Sequence, residues 1–280
     1  MRTLETLLLR ELPAVPERLS YVREMLAYSL DGGGKRVRPR LCMLFAGAAG
    51  GSAANALYFA AAVEYVHTYS LIHDDLPCMD NDDYRRGKPS SHKQFGEANA
   101  LLAGDSLLTH AFALIARANE TGAVGAEAAV RACRELSLLA GAGGMAGGQY
   151  LDLFFEGKTP EGDALTETDL LKTGALIEAA CVLGCLAGGA NEAQIGAARR
   201  FARNLGLAFQ IKDDLLEYES GEENSDERNG KATYVSVYGA ARAAALAAEA
   251  TAQAEASLGV FGEAGEALRQ FAAALLKRDR

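Results

Sequence analysis

Ile72-His73-Asp74-Asp75-Leu76 is matched in pattern by Ile211-Lys212-Asp213-Asp214-Leu215. Each pair of carboxylates closes a long run whose apolar residues recur with helical spacing, so the echo reads as two helix ends placed to face each other across a cavity. Outward from these runs, the same spacing covers Leu4 to Leu12, Pro16 to Leu30, Pro39 to Ala49 and Ala53 to a point near Leu76. It returns at Glu97 to Asn119, Ala123 to Ala140, Thr168 to Leu186, Asn191 to Tyr218, Val235 to Leu258 and Glu263 to Lys277. The result is an all-α chain of about ten core helices around a central cavity, with no strand expected. The joints are glycine-rich or polar: Gly32-Gly33-Gly34, Gly50-Gly51, Gly157 to Gly162 and the charged loop from Ser220 to Gly230. None has the length of a flexible interdomain linker, so residues 1–280 are read as a single domain.

The bulk properties narrow the function classes. Across 280 residues the formal net charge is −9, which argues against wholesale binding to nucleic acid or to an anionic membrane, while leaving room for a local basic patch that holds an anion. The cysteines at positions 42, 78, 133, 181 and 185 are odd in number and scattered. They lack metal-ligand spacing and fit reduced thiols of a cytosolic protein. Met1 to Arg10 has no apolar region of signal-peptide length, and no uninterrupted apolar stretch reaches the roughly twenty residues that cross a bilayer. The expectation is a cytoplasmic protein without stable membrane insertion.

The first acidic segment, Asp74 to Asp83, carries five carboxylates. Like charges about 4–5 Å apart repel by roughly 3–4 kcal/mol per pair at an effective dielectric near 20, which a protein tolerates poorly unless a cation sits among them. Asp213, Asp214 and Glu217 supply a second cluster, with positions 213 and 217 one helical turn apart. An all-oxygen ligand set favours a hard ion. Magnesium is typically held by a few carboxylates with the rest of its shell filled by water and substrate phosphates, which predicts a phosphorylated substrate. The EF-hand pattern fails for want of its glycine and terminal glutamate.

Basic groups stand where such a substrate needs them. Gly32-Gly33-Gly34-Lys35-Arg36-Val37-Arg38-Pro39 places cations before a helix start, and Arg85-Arg86-Gly87-Lys88 follows the acidic segment directly. Guanidinium groups bind phosphate oxygens as a fork, and lysine acts as a point charge. Other motifs fail. Gly141-Ala142-Gly143-Gly144-Met145-Ala146 fits a dinucleotide fingerprint formally, but follows a helix rather than a strand. Gly157-Lys158-Thr159 has Asp152 where a phosphate-binding loop needs glycine.

Taken together, these blocks resemble the trans-prenyltransferases, the polyprenyl synthetase family, and within it the bacterial farnesyl and geranylgeranyl diphosphate synthases. The carrying residues are Gly33 to Pro39, Glu64 to Asp83 with Arg85-Arg86-Gly87, and Phe95-Gly96-Glu97-Ala98 with Leu102-Ala103-Gly104-Asp105. They continue with Gly147-Gly148-Gln149, Leu151-Asp152-Leu153, Lys172 to Leu176, Phe209-Gln210-Ile211 with Asp213-Asp214, and Gly230-Lys231 with Thr233-Tyr234. These blocks occur in family order across nearly the whole chain.

The resemblance implies a helical bundle of the isoprenoid synthase type, a homodimer, and Mg2+ as cofactor. It implies condensation of allylic diphosphates with isopentenyl diphosphate to give farnesyl diphosphate. By position, Asp74, Asp75 and Asp80 would hold magnesium from one side and Asp213 from the other. Arg85, Lys172 and Lys231 would contact the allylic diphosphate, Lys35, Arg38, His67 and Arg86 would bind isopentenyl diphosphate, and Thr173 and Gln210 would line the allylic pocket. Tyr69 and Ser70 lie four to five positions before Asp74, roughly 6–8 Å along a helix axis, and are expected to set product length. The chain departs from the family pattern at Glu217, Lys212, Val235 and the shortened loop before Lys231. Three alternatives follow: a geranylgeranyl synthase, a geranyl synthase, or a noncatalytic partner subunit.

Overall fold

The computed structural model describes residues 1–158, 160, 163–220 and 232–277. In chain order the helices are α1 (Arg2–Arg10), α2 (Ser20–Leu30), α3 (Val37–Ala48), α4 (Leu57–Asp74), α5 (Ser91–Phe95), α6 (Glu97–Glu120) and α7 (Ala126–Ala140). They continue with α8 (Met145–Phe155), α9 (Ala164–Asp169), α10 (Ala175–Gly188), α11 (Glu192–Ser220), α12 (Tyr234–Tyr238), α13 (Ala240–Ser257) and α14 (Glu266–Leu276).

Two helices are apolar all round, and they form the centre. α4 buries every residue from Phe59 to Val66, and α10 every residue from Ala175 to Leu186. A helix without a polar face is stable only when neighbours cover its full circumference. α6 lies along α4, while α3, α7 and α11 surround α10. These outer helices bury stripes: α6 turns Ala100, Ala103, Gly104, Leu107, Ala111 and Leu114 inward, at the three- and four-residue intervals of one helix face.

The departures from sequence expectation have local causes. α2 starts at Ser20, after a short 3-10 turn over Glu17–Leu19. The run expected from Thr168 to Leu186 is interrupted by a π-turn at Leu170–Gly174. The run expected from Val235 divides at Gly239, whose φ of 78° no helix can accept, and α12 begins at Tyr234 behind a reciprocal Thr233–Ser236 capping box. α8 was not expected, because the glycines of the 141–148 segment dilute its periodicity. Against the expectation of no strand, Tyr84–Arg85 and Lys88–Pro89 form an antiparallel hairpin. Its two turn residues, Arg86 and Gly87, have φ of 54° and 77°, as a type I′ turn requires. The acidic pair Asp213-Asp214 lies inside α11, which continues to Ser220, and does not close it.

By length and composition two stretches would suffice to cross a bilayer, Glu97–Glu120 and Ala164–Gly188, contrary to the reading of run lengths. The most apolar window of the second is 72% buried in the protein and that of the first 39%. All five cysteines are free, with Cys42, Cys181 and Cys185 buried.

One ion pair lies deep in the helical core. Arg36 donates from Nη1 to Glu64 Oε1 at 2.5 Å, from Nη2 to the Leu30 carbonyl at 2.6 Å, and to both Glu5 oxygens at 3.0 Å. The Arg36 and Glu64 side chains are each 1% exposed. Removing one member of such a pair leaves the other charge buried and uncompensated, at a cost of about 3–5 kcal/mol. Because Glu5 still pairs with Arg36, Glu64→Gln should lower the free energy of unfolding by less, about 1–3 kcal/mol, read from the midpoint of a urea denaturation curve with unchanged slope.

Candidate active site

The acidic segment folds back on the end of α4. The Asp80 amide donates to the Asp74 carbonyl at 2.9 Å, and the Met79 and Asn81 amides both donate to the Leu76 carbonyl. These turn bonds put Asp80 beside Asp74 although six positions separate them in sequence. Burial raises the Asp74 pKa to about 6, Asp80 and Asp75 push the same way, and Lys172 and Arg85 oppose them. Asp75 is turned elsewhere. Its carboxylate is buried against Arg85, which donates from Nε at 2.8 Å and again from Nη2, and which also reaches Asp82 at 3.0 Å. The expected metal ligand Asp75 thus fixes the Arg85 guanidinium and does not line the cavity described below.

A cationic cluster lies farther back along α4. Arg86, carried by the hairpin turn, donates to the Gly33 carbonyl at 2.6 Å. Gly34 lies flat on its guanidinium, since a β-carbon there would come 2.8 Å from Cζ, and its φ of +106° also demands glycine. Arg38 Nη1 stands 3.5 Å from His67 Nε2, and the buried Nε of Arg38 has no partner among the described residues. Burial lowers the Arg38 pKa to about 10, with Arg86 adding to the shift. His67 is held well below its ordinary value by burial and then by Arg38, Arg86, Arg36 and Arg85. The imidazole is therefore neutral at physiological pH beside guanidiniums that remain charged. Among the described residues, Glu64 and Glu5 oppose the guanidiniums of Arg36, Arg38 and Arg86, a charge balance that favours a bound anion.

Lys172 acts on Asp74 of the first acidic motif and on the buried Asp169. It belongs to the π-turn, and Gly148 of α8 makes room for it: a β-carbon at 148 would fall 2.1 Å from the Lys172 nitrogen. Its ammonium donates to Asp152 at 2.6 Å and opposes the rise in the Asp74 pKa. Asp169 has its pKa raised to about 8 by burial and then by Asp214, while Tyr234 and Lys172 act in the other direction. Asp214 is itself committed. It accepts the Tyr234 amide at 2.7 Å, capping α12, and the Gln210 side-chain amide at 3.2 Å.

These elements enclose a cavity of about 520 Å³. Arg38, His67, Tyr69, Ser70, Asp74, Lys172 and Thr173 all line it, together with Met145, Tyr150 and Leu153 of α8. The spacing argument that put His67 and Asp74 on one face of α4 agrees with this placement. Lys35, Asp80, Arg85, Arg86, Gln210 and Asp213 are outside its lining. Lys35 is exposed, and Arg36 takes the buried place beside it. Asp213, rotated about 100° from Asp214 around α11, borders a separate pocket with Phe209, Lys212, Leu275 and Leu276. Lys231 lies outside the described residues.

Residues 19–267 match the polyprenyl synthetase family. The chain belongs to that family. It is similar to the farnesyl diphosphate synthase of Geobacillus stearothermophilus, 47% identical over 219 residues that cover 76% of this chain and 73% of the relative. The geranylgeranyl diphosphate synthase of Cyanophora paradoxa is 45% identical over 230 residues, covering 79% and 75%. Among solved structures, an FPP/GFPP synthase from Zymomonas mobilis superposes with a TM-score of 0.87 at 35% identity, covering 98% of this chain and 95% of that one. Within this polyprenyl synthetase, sequence reasoning assigned no role to Asp152, Asp169, Tyr234 or the α8 wall. The block Gly147-Gly148-Gln149 with Leu151-Asp152-Leu153 was the available signal, and only the fold reveals that it backs Lys172.

The Asp74 shift has a measurable consequence. A carboxyl whose folded pKa is about 6 against an ordinary 3.8 binds its proton more tightly when folded, so its ionised form costs stability as pH rises through that window. Asp74→Asn is expected to melt higher than the parent at pH 8 without divalent metal, with the difference shrinking through the window between the two values and gone below about pH 3, as followed by calorimetry.

Proposed function

We propose that this chain is a prenyltransferase that condenses allylic diphosphates with isopentenyl diphosphate to give farnesyl diphosphate. The observation that carries this reading is the cavity itself. Its wall combines an acidic end at Asp74, a cationic side at Arg38 beside His67, the Lys172 ammonium, and an apolar remainder. Such a wall suits a diphosphate head with a hydrocarbon tail.

The carboxylates fit a divalent cation. Asp74 is destabilised as an anion by burial and by Asp80, and the donors are all oxygen, so a hard ion such as magnesium suits them. Asp74 and Asp80 would hold it from α4 and the turn after it, and Asp213 would join them from α11 only by turning from the separate pocket it borders. Magnesium typically takes the rest of its shell from water and substrate phosphates, so a bound diphosphate would complete it. Bound there, magnesium supplies Lewis-acid stabilisation of the charge on the departing diphosphate.

The chain's own groups do the rest. Arg85, fixed by Asp75, and Lys172, fixed by Asp152, hold positive charge near the site where pyrophosphate leaves, with Lys231 assigned the same task. Preorganised charge of this kind stabilises the transition state without reorganisation. Arg38 on the cavity wall, with Arg86 and the exposed Lys35, is assigned the second diphosphate. Neutral His67 accepts from Arg38 or donates to a phosphate oxygen without adding a competing charge. Thr173 presents its hydroxyl oxygen to the allylic cation, Gln210, held on Asp214 outside the lining, is assigned the same task, and Met145, Tyr150 and Leu153 supply the apolar wall. The condensation proton leaves with the diphosphate.

Tyr69 and Ser70 line the same cavity, and their place before Asp74 supports a block on the tail that stops at farnesyl diphosphate. Leu101, Leu102, Val130 and Leu138 on α6 and α7 are 46%, 57%, 69% and 53% exposed. We assign these exposed apolar side chains to a homodimer contact, and sedimentation should return twice the mass of the chain. The free cysteines and acidic balance support a cytoplasmic location.

Purified protein supplied with magnesium, isopentenyl diphosphate and dimethylallyl diphosphate should form farnesyl diphosphate on product chromatography, and chelation with EDTA should abolish turnover. No condensation under these conditions sinks the proposal. Tyr69→Ala should shift the product toward geranylgeranyl diphosphate, whereas geranylgeranyl diphosphate from the parent chain makes it a geranylgeranyl synthase.

A further inference from the structure

Gly104 lies on α6 where that helix meets α4. A β-carbon on it would fall 2.1 Å from His73 Nε2 and 2.4 Å from His73 Cδ2, so the missing side chain leaves a notch that the imidazole fills. The ring is tied there. Its Nε2 stands 3.0 Å from the Leu101 carbonyl oxygen, and because a carbonyl only accepts, that nitrogen carries the hydrogen and donates. Asp105 Oδ1 lies 3.9 Å from the same nitrogen.

The seated ring meets Tyr69. The two centroids are 5.6 Å apart with an interplanar angle of 78°, an edge-to-face arrangement worth about 0.5–1.5 kcal/mol beyond area burial. Helical side chains lean toward the N-terminus, so the imidazole lies over the turn that carries Tyr69 and away from the Asp74 carboxylate. Both rings line the cavity. An aromatic stop in a cavity holds only if something behind it resists displacement, because the gain from burying one more isoprene unit competes with the cost of moving the ring.

We propose that His73 is a positioning residue for chain length: seated in the Gly104 notch, it braces Tyr69 so that the tyrosine closes the tail space. This rests on the prenyl diphosphate reading for what the cavity holds. It assigns the decision on length to three residues from two helices, where the sequence offers Tyr69 and Ser70 on one.

The test reads tail-length preference without requiring turnover. Titration calorimetry with magnesium and geranyl, farnesyl and geranylgeranyl thiolodiphosphates is carried out on the full chain and three variants. His73→Ala should raise the affinity for the geranylgeranyl compound relative to the farnesyl one about tenfold, or ~1.4 kcal/mol. Gly104→Ala should drive the imidazole into the tail space and lower farnesyl relative to geranyl affinity by a similar factor. The double variant, whose new β-carbon has no ring to meet, should behave like His73→Ala. A double variant that folds where Gly104→Ala alone does not supports the same steric route. An unchanged length ratio in His73→Ala, or a double variant that keeps the Gly104→Ala defect, overturns the inference. If the parent chain binds none of the three compounds, the prenyl diphosphate reading falls and this inference with it; if the parent binds them and the variants do not differ, this inference alone falls.

Discussion

Arg36 and Glu64 meet at 2.5 Å with almost no exposure, and the charge pattern around α4 is organised about that contact. Taking two ions out of water costs several kcal/mol each, recovered only when the geometry is good and the remaining donors are satisfied. Here Glu5 and the Leu30 carbonyl satisfy them. With Arg36 neutralised, the glycine loop before α3 can lie on Arg86, and Arg38 and Arg86 can share one side of α4 with a neutral His67. The acidic end of the same helix carries the opposite sign. α4 is thus a rigid bar with guanidiniums of the α3 start and the hairpin gathered against its middle and carboxylates at its tip, and the cavity opens along the side that meets both.

The second acidic motif is used differently from the first. Asp214 caps α12 and holds Gln210, and the nearby Asp169 carries a pKa raised to about 8, chiefly by burial. Lys172, anchored on Asp152, links this cluster to Asp74. The π-turn matters because an ordinary α-turn at Leu170–Gly174 would rotate Lys172 and Thr173 around the helix axis. Gly148 permits the close approach of α8 that holds the turn in place.

The likeness between the two acidic motifs is therefore real in sequence and only partial in space. One motif ends its helix and folds its loop back so that Asp80 joins Asp74. The other sits within a helix, where neighbouring carboxylates must point about 100° apart. That angle sends Asp214 toward α12 and Asp213 toward α14, a divergence no repeat pattern reveals.

Much was legible without coordinates, because it depends on residues near one another in the chain. Apolar spacing defined most of the helices, and the runs that are apolar on every side became the buried centre. His67 and Asp74 fall on one face of a helix by counting alone, and the resemblance of ordered blocks reached the family. What only the tertiary structure decided depends on close approach between segments far apart in sequence. It turned Asp75 onto Arg85, made Arg36 rather than Lys35 the buried cation, set Asp152 behind Lys172, and seated His73 against Gly104. Helical periodicity fixes the direction a side chain takes from its own axis, but the partner it meets depends on how helices cross, and that is decided by the packing of the whole core.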